Sequence, residues 1–130
     1  MLWIRELGQA EARVLPGTED AAYPFWSPDS RSVAFFTPGK LKKVEVAGGL
    51  PVEIASAPFG KGGTWSRSGV IVFAPDFGGA LHKVPAGGGT SMAVTKLDKG
   101  ENTHRYPEFL PDGRHFLFMA RSGGAGSPVH

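Results

Sequence analysis

The chain repeats itself at an interval near forty residues, and this constrains its fold more than any other feature. Trp26-Ser27-Pro28-Asp29-Ser30-Arg31 recurs as Trp65-Ser66-Arg67-Ser68-Gly69 and again as Phe109-Leu110-Pro111-Asp112-Gly113-Arg114, with the aromatic anchors 39 and then 44 residues apart. Each copy runs into an apolar segment: Val33-Ala34-Phe35-Phe36, Val70-Ile71-Val72-Phe73 and Phe116-Leu117-Phe118-Met119. A second landmark, Leu41-Lys42-Lys43-Val44-Glu45-Val46-Ala47-Gly48-Gly49, returns 40 residues later as Leu81-His82-Lys83-Val84-Pro85-Ala86-Gly87-Gly88. Counting back 39 residues from Leu41 reaches Leu2, which opens Leu2-Trp3-Ile4-Arg5-Glu6-Leu7-Gly8. Val14-Leu15, Ile54-Ala55 and Val94-Thr95 keep the same interval.

A period near forty made of short apolar runs is the signature of propeller blades, each of four antiparallel strands, A to D. The expected fold class is all-β, with about three blades' worth of strands, half of a six-bladed propeller. Residues 1–19 supply strands C and D of a split blade, 20–57 and 58–102 are full blades, and 103–130 supply strands A and B of another split blade. Strand A is read at 22–26, 63–65 and 106–109. In the A–B turn, Pro28 and Pro111 stand second, where proline presets φ for a type I turn, and Asp29 and Asp112 suit the next position. The middle copy lacks both residues, which leaves its turn free to differ. The 19 glycines and 11 prolines are spread along the chain, as many short strands joined by turns require. Trp26, Trp65 and Phe109, with Phe36, Phe73 and Phe118, are read as core, since sheets packed face to face need large side chains between them.

At 130 residues the chain is one domain by length. A net charge of +2 gives no polybasic signature, so no nucleic-acid partner is expected. There is no cysteine, hence no disulfide or thiolate metal site. The longest apolar runs have strand length, and Met1-Leu2-Trp3-Ile4-Arg5-Glu6 lacks the features of a signal peptide, so no membrane insertion by this segment is expected. His82, His104, His115 and His130 have no metal-site spacing, and no Gly-x-Ser-x-Gly elbow occurs. Gly60-Lys61-Gly62-Gly63 and Gly87-Gly88-Gly89 precede no helical pattern and are read as loops rather than phosphate cradles. No enzyme activity, no cofactor and no metal are expected.

"YPFWSPDSRSVAFF", "RYPEFLPDGRHFLF" and the paired glycines resemble the TolB-like propeller repeats, relatives of the WD repeats. More narrowly, "LWIRELGQAEARVLPGTEDAAYPFWSPDSRSVAFF" followed by "LKKVEVAGG" resembles the C-terminal sensor propeller of bacterial membrane-anchored serine/threonine protein kinases. That resemblance implies an extracytoplasmic location and a receptor-like parent. No Gly-rich phosphate loop, Val-Ala-Ile-Lys strand or His-Arg-Asp segment is present, so this segment itself phosphorylates nothing.

The function expected is therefore a noncatalytic binding or sensor module for a protein, peptide or glycan. The alternatives are the propeller gate of a prolyl-oligopeptidase-like serine peptidase and a pure interaction scaffold. The connections from strand D to the next strand A, at 16–21, 58–62 and 100–105, should carry Glu19, Asp20, Lys61, His104 and Arg105 to a channel mouth, the place where loops on a rigid scaffold commonly recognise ligands. Three blades do not close a ring, and open strand edges seek partners. A homodimer closing a six-bladed ring is the expected assembly.

Overall fold

The computed structural model describes residues 1–122 and contains strands and turns, with no helix among them. The last eight residues expected in the fourth segment, His130 included, lie outside the described residues. Twelve strands follow one another: β1 (Leu2–Ile4), β2 (Arg13–Leu15), β3 (Ala22–Trp26), β4 (Ser32–Thr37), β5 (Gly39–Glu45), β6 (Val52–Ala57), β7 (Gly63–Trp65), β8 (Val70–Phe73), β9 (His82–Pro85), β10 (Met92–Ala93), β11 (Glu101–Phe109) and β12 (Phe116–Ser122). They form four antiparallel sheets, each with strands in sequence order: β1–β2 (sheet I), β3 to β6 (sheet II), β7 to β10 (sheet III) and β11–β12 (sheet IV). β7 packs beside both β3 and β11, so the first strands of sheets II, III and IV are neighbours.

Strand alternation places three separate cores between successive sheets. Side chains on β4 point alternately to opposite faces. Val33 and Phe35 join Leu15 and Val44 against sheet I, with Leu2 and Ile4 packed on them. Ala34 and Phe36 turn the other way, onto Ile71, Phe73 and Val84 of sheet III. β8 and the residue after it repeat the pattern, sending Val72 and Ala74 with Leu81 towards Phe109 and Phe116 of sheet IV. Both faces of each complete sheet are covered. This is why the apolar runs here are continuous rather than alternating with polar residues.

All three A–B turns close in the same way. The Ser30 N–H donates to the Ser27 carbonyl (3.0 Å), Gly69 to Ser66 (3.0 Å) and Gly113 to Leu110 (2.9 Å). The closing residue is left-handed in each, with φ of 61°, 82° and 68°. Asp29 accepts from the Ser27 hydroxyl (2.6 Å) and the Arg31 N–H (3.0 Å), and Asp112 from the N–H groups of Arg114 (2.9 Å) and His115 (3.0 Å). The middle copy keeps the turn without proline or aspartate. It is one residue shorter, since Ser66 N–H reaches Val70 where Ser27 N–H reaches Ser32, and Ser66 and Ser68 bond each other at 2.8 Å in place of the Ser–Asp pair.

Several expectations need correction. Phe36 and Phe73 are buried, and Trp65 and Phe109 are half-buried against the cores. Trp26 is 49 % exposed and Phe118 41 %. Trp26 faces sheet I, whose two strands do not extend far enough to cover it, and Phe118 lies on a strand paired on one side only among the described residues. The last inner strand begins at Glu101, not at 106, because Glu101 pairs with Ser122 and His104 with Ala120 well ahead of the aromatic segment.

Candidate functional site

The distinctive backbone lies three residues before the aromatic anchor of each inner strand. Tyr23 and Tyr106 have φ of 51° and 52°, and Gly62, at the same place in the middle copy, has 97°. Glycine adopts this region freely, whereas a residue with a side chain is strained there by about 1–2 kcal/mol. Each tyrosine precedes a proline, which itself favours extended backbone. The register shifts in both strands, between Ala22 and Phe25 and between Arg105 and Glu108. The two bulges throw the tyrosine rings out of the ladder, leaving Tyr23 and Tyr106 exposed with centroids 6.1 Å apart.

Lys61 completes this cluster. Its ammonium lies 5.6 Å from the centroid of the Tyr23 ring, a cation–π distance. Its backbone is fixed on both sides: its N–H donates to the Ala74 carbonyl (2.9 Å) and its carbonyl accepts from the Tyr106 N–H (3.0 Å). A Cβ at Gly62 would stand 3.1 Å from Tyr106 Cα and Cδ1, so the glycine also makes room for Tyr106. The result is an aromatic floor with a positive charge, held on rigid strands.

The other expected site residues divide. Glu19 and Asp20 are exposed in the turn before β3, Asp20 itself left-handed at φ 61°. Arg105 is fixed away from the tyrosines, its Nε donating to the Thr103 hydroxyl (3.1 Å) and its terminal nitrogen to the Phe77 carbonyl (2.7 Å). With Arg121 it lines a second cleft of about 500 Å³. His104 is not at a channel mouth. It is 2 % exposed, with Nε2 2.8 Å from the Glu101 carboxylate, Nδ1 2.8 Å from the Thr95 hydroxyl, and its ring tilted at 50° against that of Phe118, centroids 4.6 Å apart. An ionised carboxylate can only accept, so Nε2 carries a proton towards Glu101. His104 is a core histidine, pinning β11 to the segment after β10.

At the other end of the inner strands, the three turns surround an open cleft of about 510 Å³ walled by Trp26, Trp65, Phe109, Arg67 and Glu108. Beside it, hydrogen bonds from the backbone of Arg114 and His115, and from the His115 ring at 2.5 Å, hold the Asp112 carboxyl down to about 2. The Ser27 hydroxyl and the Arg31 N–H lower that of Asp29. Both carboxylates are committed to their turns. Among the described residues no three His, Cys, Asp or Glu side chains converge as metal ligands, and no helix is long and apolar enough to cross a membrane.

Sequence reasoning missed Tyr23 and Tyr106. The signal was there: the repeat aligns Tyr, Gly and Tyr at one position, and a glycine alternating with a larger residue marks a backbone that requires positive φ. No protein-family model matches the chain, and no curated protein matches it either.

Proposed function

We propose that this chain is a noncatalytic binding module of the TolB-like propeller type, and that it recognises a peptide segment at the Tyr23–Lys61–Tyr106 cluster. One observation carries the reading: two tyrosines held in strained backbone at equivalent places of the repeat, both presented to solvent. Such strain persists only where the surrounding structure imposes it, and it concentrates at ligand clamps. Exposed tyrosines give large contact area at low entropic cost, and Lys61 adds affinity for a carboxylate. An acidic peptide with an apolar or aromatic side chain fits this chemistry. The resemblance to sensor propellers of receptor-like serine/threonine kinases makes an extracytoplasmic sensor the setting of choice. A Gly-x-Ser-x-Gly domain encoded alongside would favour the peptidase gate instead.

Peptides selected from a random display library on the wild-type protein provide the test. Their affinity should fall at least roughly tenfold for Lys61→Ala and for Tyr106→Gly, about the 1.4 kcal/mol of one lost contact. Affinities unchanged in both variants would overturn the site.

A further inference from the structure

We propose that the edges of β12 and β1 left unpaired among the described residues pair with each other between two copies of this chain, in the register Met119–Leu2, Phe118–Trp3, Leu117–Ile4 and His115–Glu6. Two such junctions about a two-fold axis complete two further four-stranded sheets.

The register follows from the two complete sheets, which agree with each other. Val33, Ile71 and Phe116 each stand opposite the aromatic anchor of their own copy, so they are equivalent. Leu2 pairs with Leu15 as Leu41 pairs with Ala55, so Leu2 and Leu41 are equivalent. Inside sheet II, Phe36 pairs with Leu41, Phe35 with Lys42, Ala34 with Lys43 and Ser32 with Glu45. Inside sheet III, Phe73 pairs with His82, Val72 with Lys83 and Val70 with Pro85, the same offset. Transferring that offset to β12 and β1 gives the pairs above.

Burial supports the transfer. Ala34, Phe35, Phe36, Val72, Phe73 and Ala74 are all buried. Their counterparts Leu117, Phe118 and Met119 are exposed, Leu117 at 63 %, and Trp3 on the other edge stands at 66 %. The faces also match. Phe116 turns toward sheet III, so by alternation Phe118 shares its face while Leu117 and Met119 take the other. Leu2 and Ile4 turn toward sheet II, which leaves Trp3 on the opposite face. Pairing therefore lays Leu117 and Met119 of one copy beside Ile4 and Leu2 of the other. It also lays Phe118 beside Trp3. The apolar cavity of about 120 Å³ between Leu2, Ile4, Phe25 and Trp26 lies on the flank where Leu117 arrives.

Charge is complementary too. In sheet II the Ser32 hydroxyl donates to the Glu45 carboxylate at 2.9 Å. At the junction these places hold His115 and Glu6; with Nδ1 of His115 on Asp112, a protonated ring still has Nε2 to donate to the Glu6 carboxylate. Arg5 takes the place of the buried Val44 and Val84, where its aliphatic stem can cover Phe116 while the guanidinium reaches water. Met1, Trp3, Leu117, Phe118 and Met119, each about half exposed, contribute on the order of 100 Å² apiece, taking 150–250 Å² for a fully covered large side chain. Two junctions then bury roughly 1,000 Å² before any backbone is counted, close to the range of stable interfaces.

Light scattering and engineered cross-links on the purified chain test this. The chain should be a dimer at micromolar concentration. Because it has no cysteine, the double variant Ile4→Cys with Leu117→Cys should give a disulfide-linked dimer on oxidation, paired strand residues lying within disulfide reach. The off-register variant Leu2→Cys with Leu117→Cys should cross-link at least roughly tenfold more slowly, its sulfurs starting on a diagonal. Leu117→Lys should weaken the dimer roughly 100-fold by placing an ammonium in an apolar seam, with the strand-type circular dichroism unchanged. A monomer, an open-ended ladder of oligomers, or equal cross-linking in both registers would overturn the proposal.

Discussion

Phe73 and Phe118 occupy the same place in successive copies of the repeat, yet one is sealed in a core and the other stands open to water. The runs that hold them, residues 70–73 and 116–119, are both wholly apolar. The difference lies in what flanks them: β8 has β7 and β9 on its two sides, whereas β12 has β11 on one side only among the described residues. Burial in this architecture is a property of the neighbouring sheet as much as of the residue.

Mutations can sharpen that contrast. The largest effect expected is Phe73→Ala, which should cost about 3–5 kcal/mol in denaturant unfolding, as a fully buried phenylalanine does. Gly60→Ala follows, at about 1–3 kcal/mol, because its new Cβ would stand 2.0 Å from Cδ1 of the Phe36 ring and force the core apart. Phe118→Ala should cost about 1–2 kcal/mol at monomer concentrations, since the His104 ring is its main partner. A loss equal to that of Phe73 would erase the distinction between open and closed strands. Tyr23→Gly should stabilise the chain by up to about 1 kcal/mol through relief of the left-handed backbone, partly offset by glycine's greater freedom when unfolded.

The smallest effect concerns pH. Asp112 titrates at about 2 when folded, below an ordinary aspartate, so it contributes stability above its unfolded pKa that is lost as the pH falls from about 4 towards 2. Asp29 is lowered in the same direction and adds to the same acid-side loss. Both are solvent-exposed, so the loss should be slight. Proton NMR titration of Asp112→Asn beside wild type would show it, and an unshifted Asp112 would remove its turn role.

The strands, the sheet order and two of the turns were legible because each rests on local chemistry. Pro28-Asp29 and Pro111-Asp112 specify their turns through side chains within three residues. The middle turn was not legible from the same rule, because Gly69 supplies the left-handed position and two serines supply the bonding. Trp26 and Phe118 were misjudged for a different reason: aromatic type predicts burial only where a neighbouring sheet exists to provide it. His104 read as a loop charge because six residues ahead of Tyr106 look like a connection. Long-range pairing with β12 draws them into strand, and nothing local announces it. The tyrosine cluster lies between these cases, visible in the alignment of Tyr23, Gly62 and Tyr106 but only once φ is considered.

The three cores sit between consecutive sheets, and beyond them sheets II and IV approach each other at the Tyr23 and Tyr106 rings. The molecule thus behaves as a short linear array, in which cooperativity passes from one unit to the next rather than through a common centre. Opening should begin at the ends. Amide hydrogens of β1, β2 and β12 should exchange with solvent first, those of β4 and β8, flanked on both faces, last. Because nearly every strand pairs with its sequence neighbour, loop closure during folding stays cheap, and the chain should acquire its inner sheets faster than its all-β content alone would suggest.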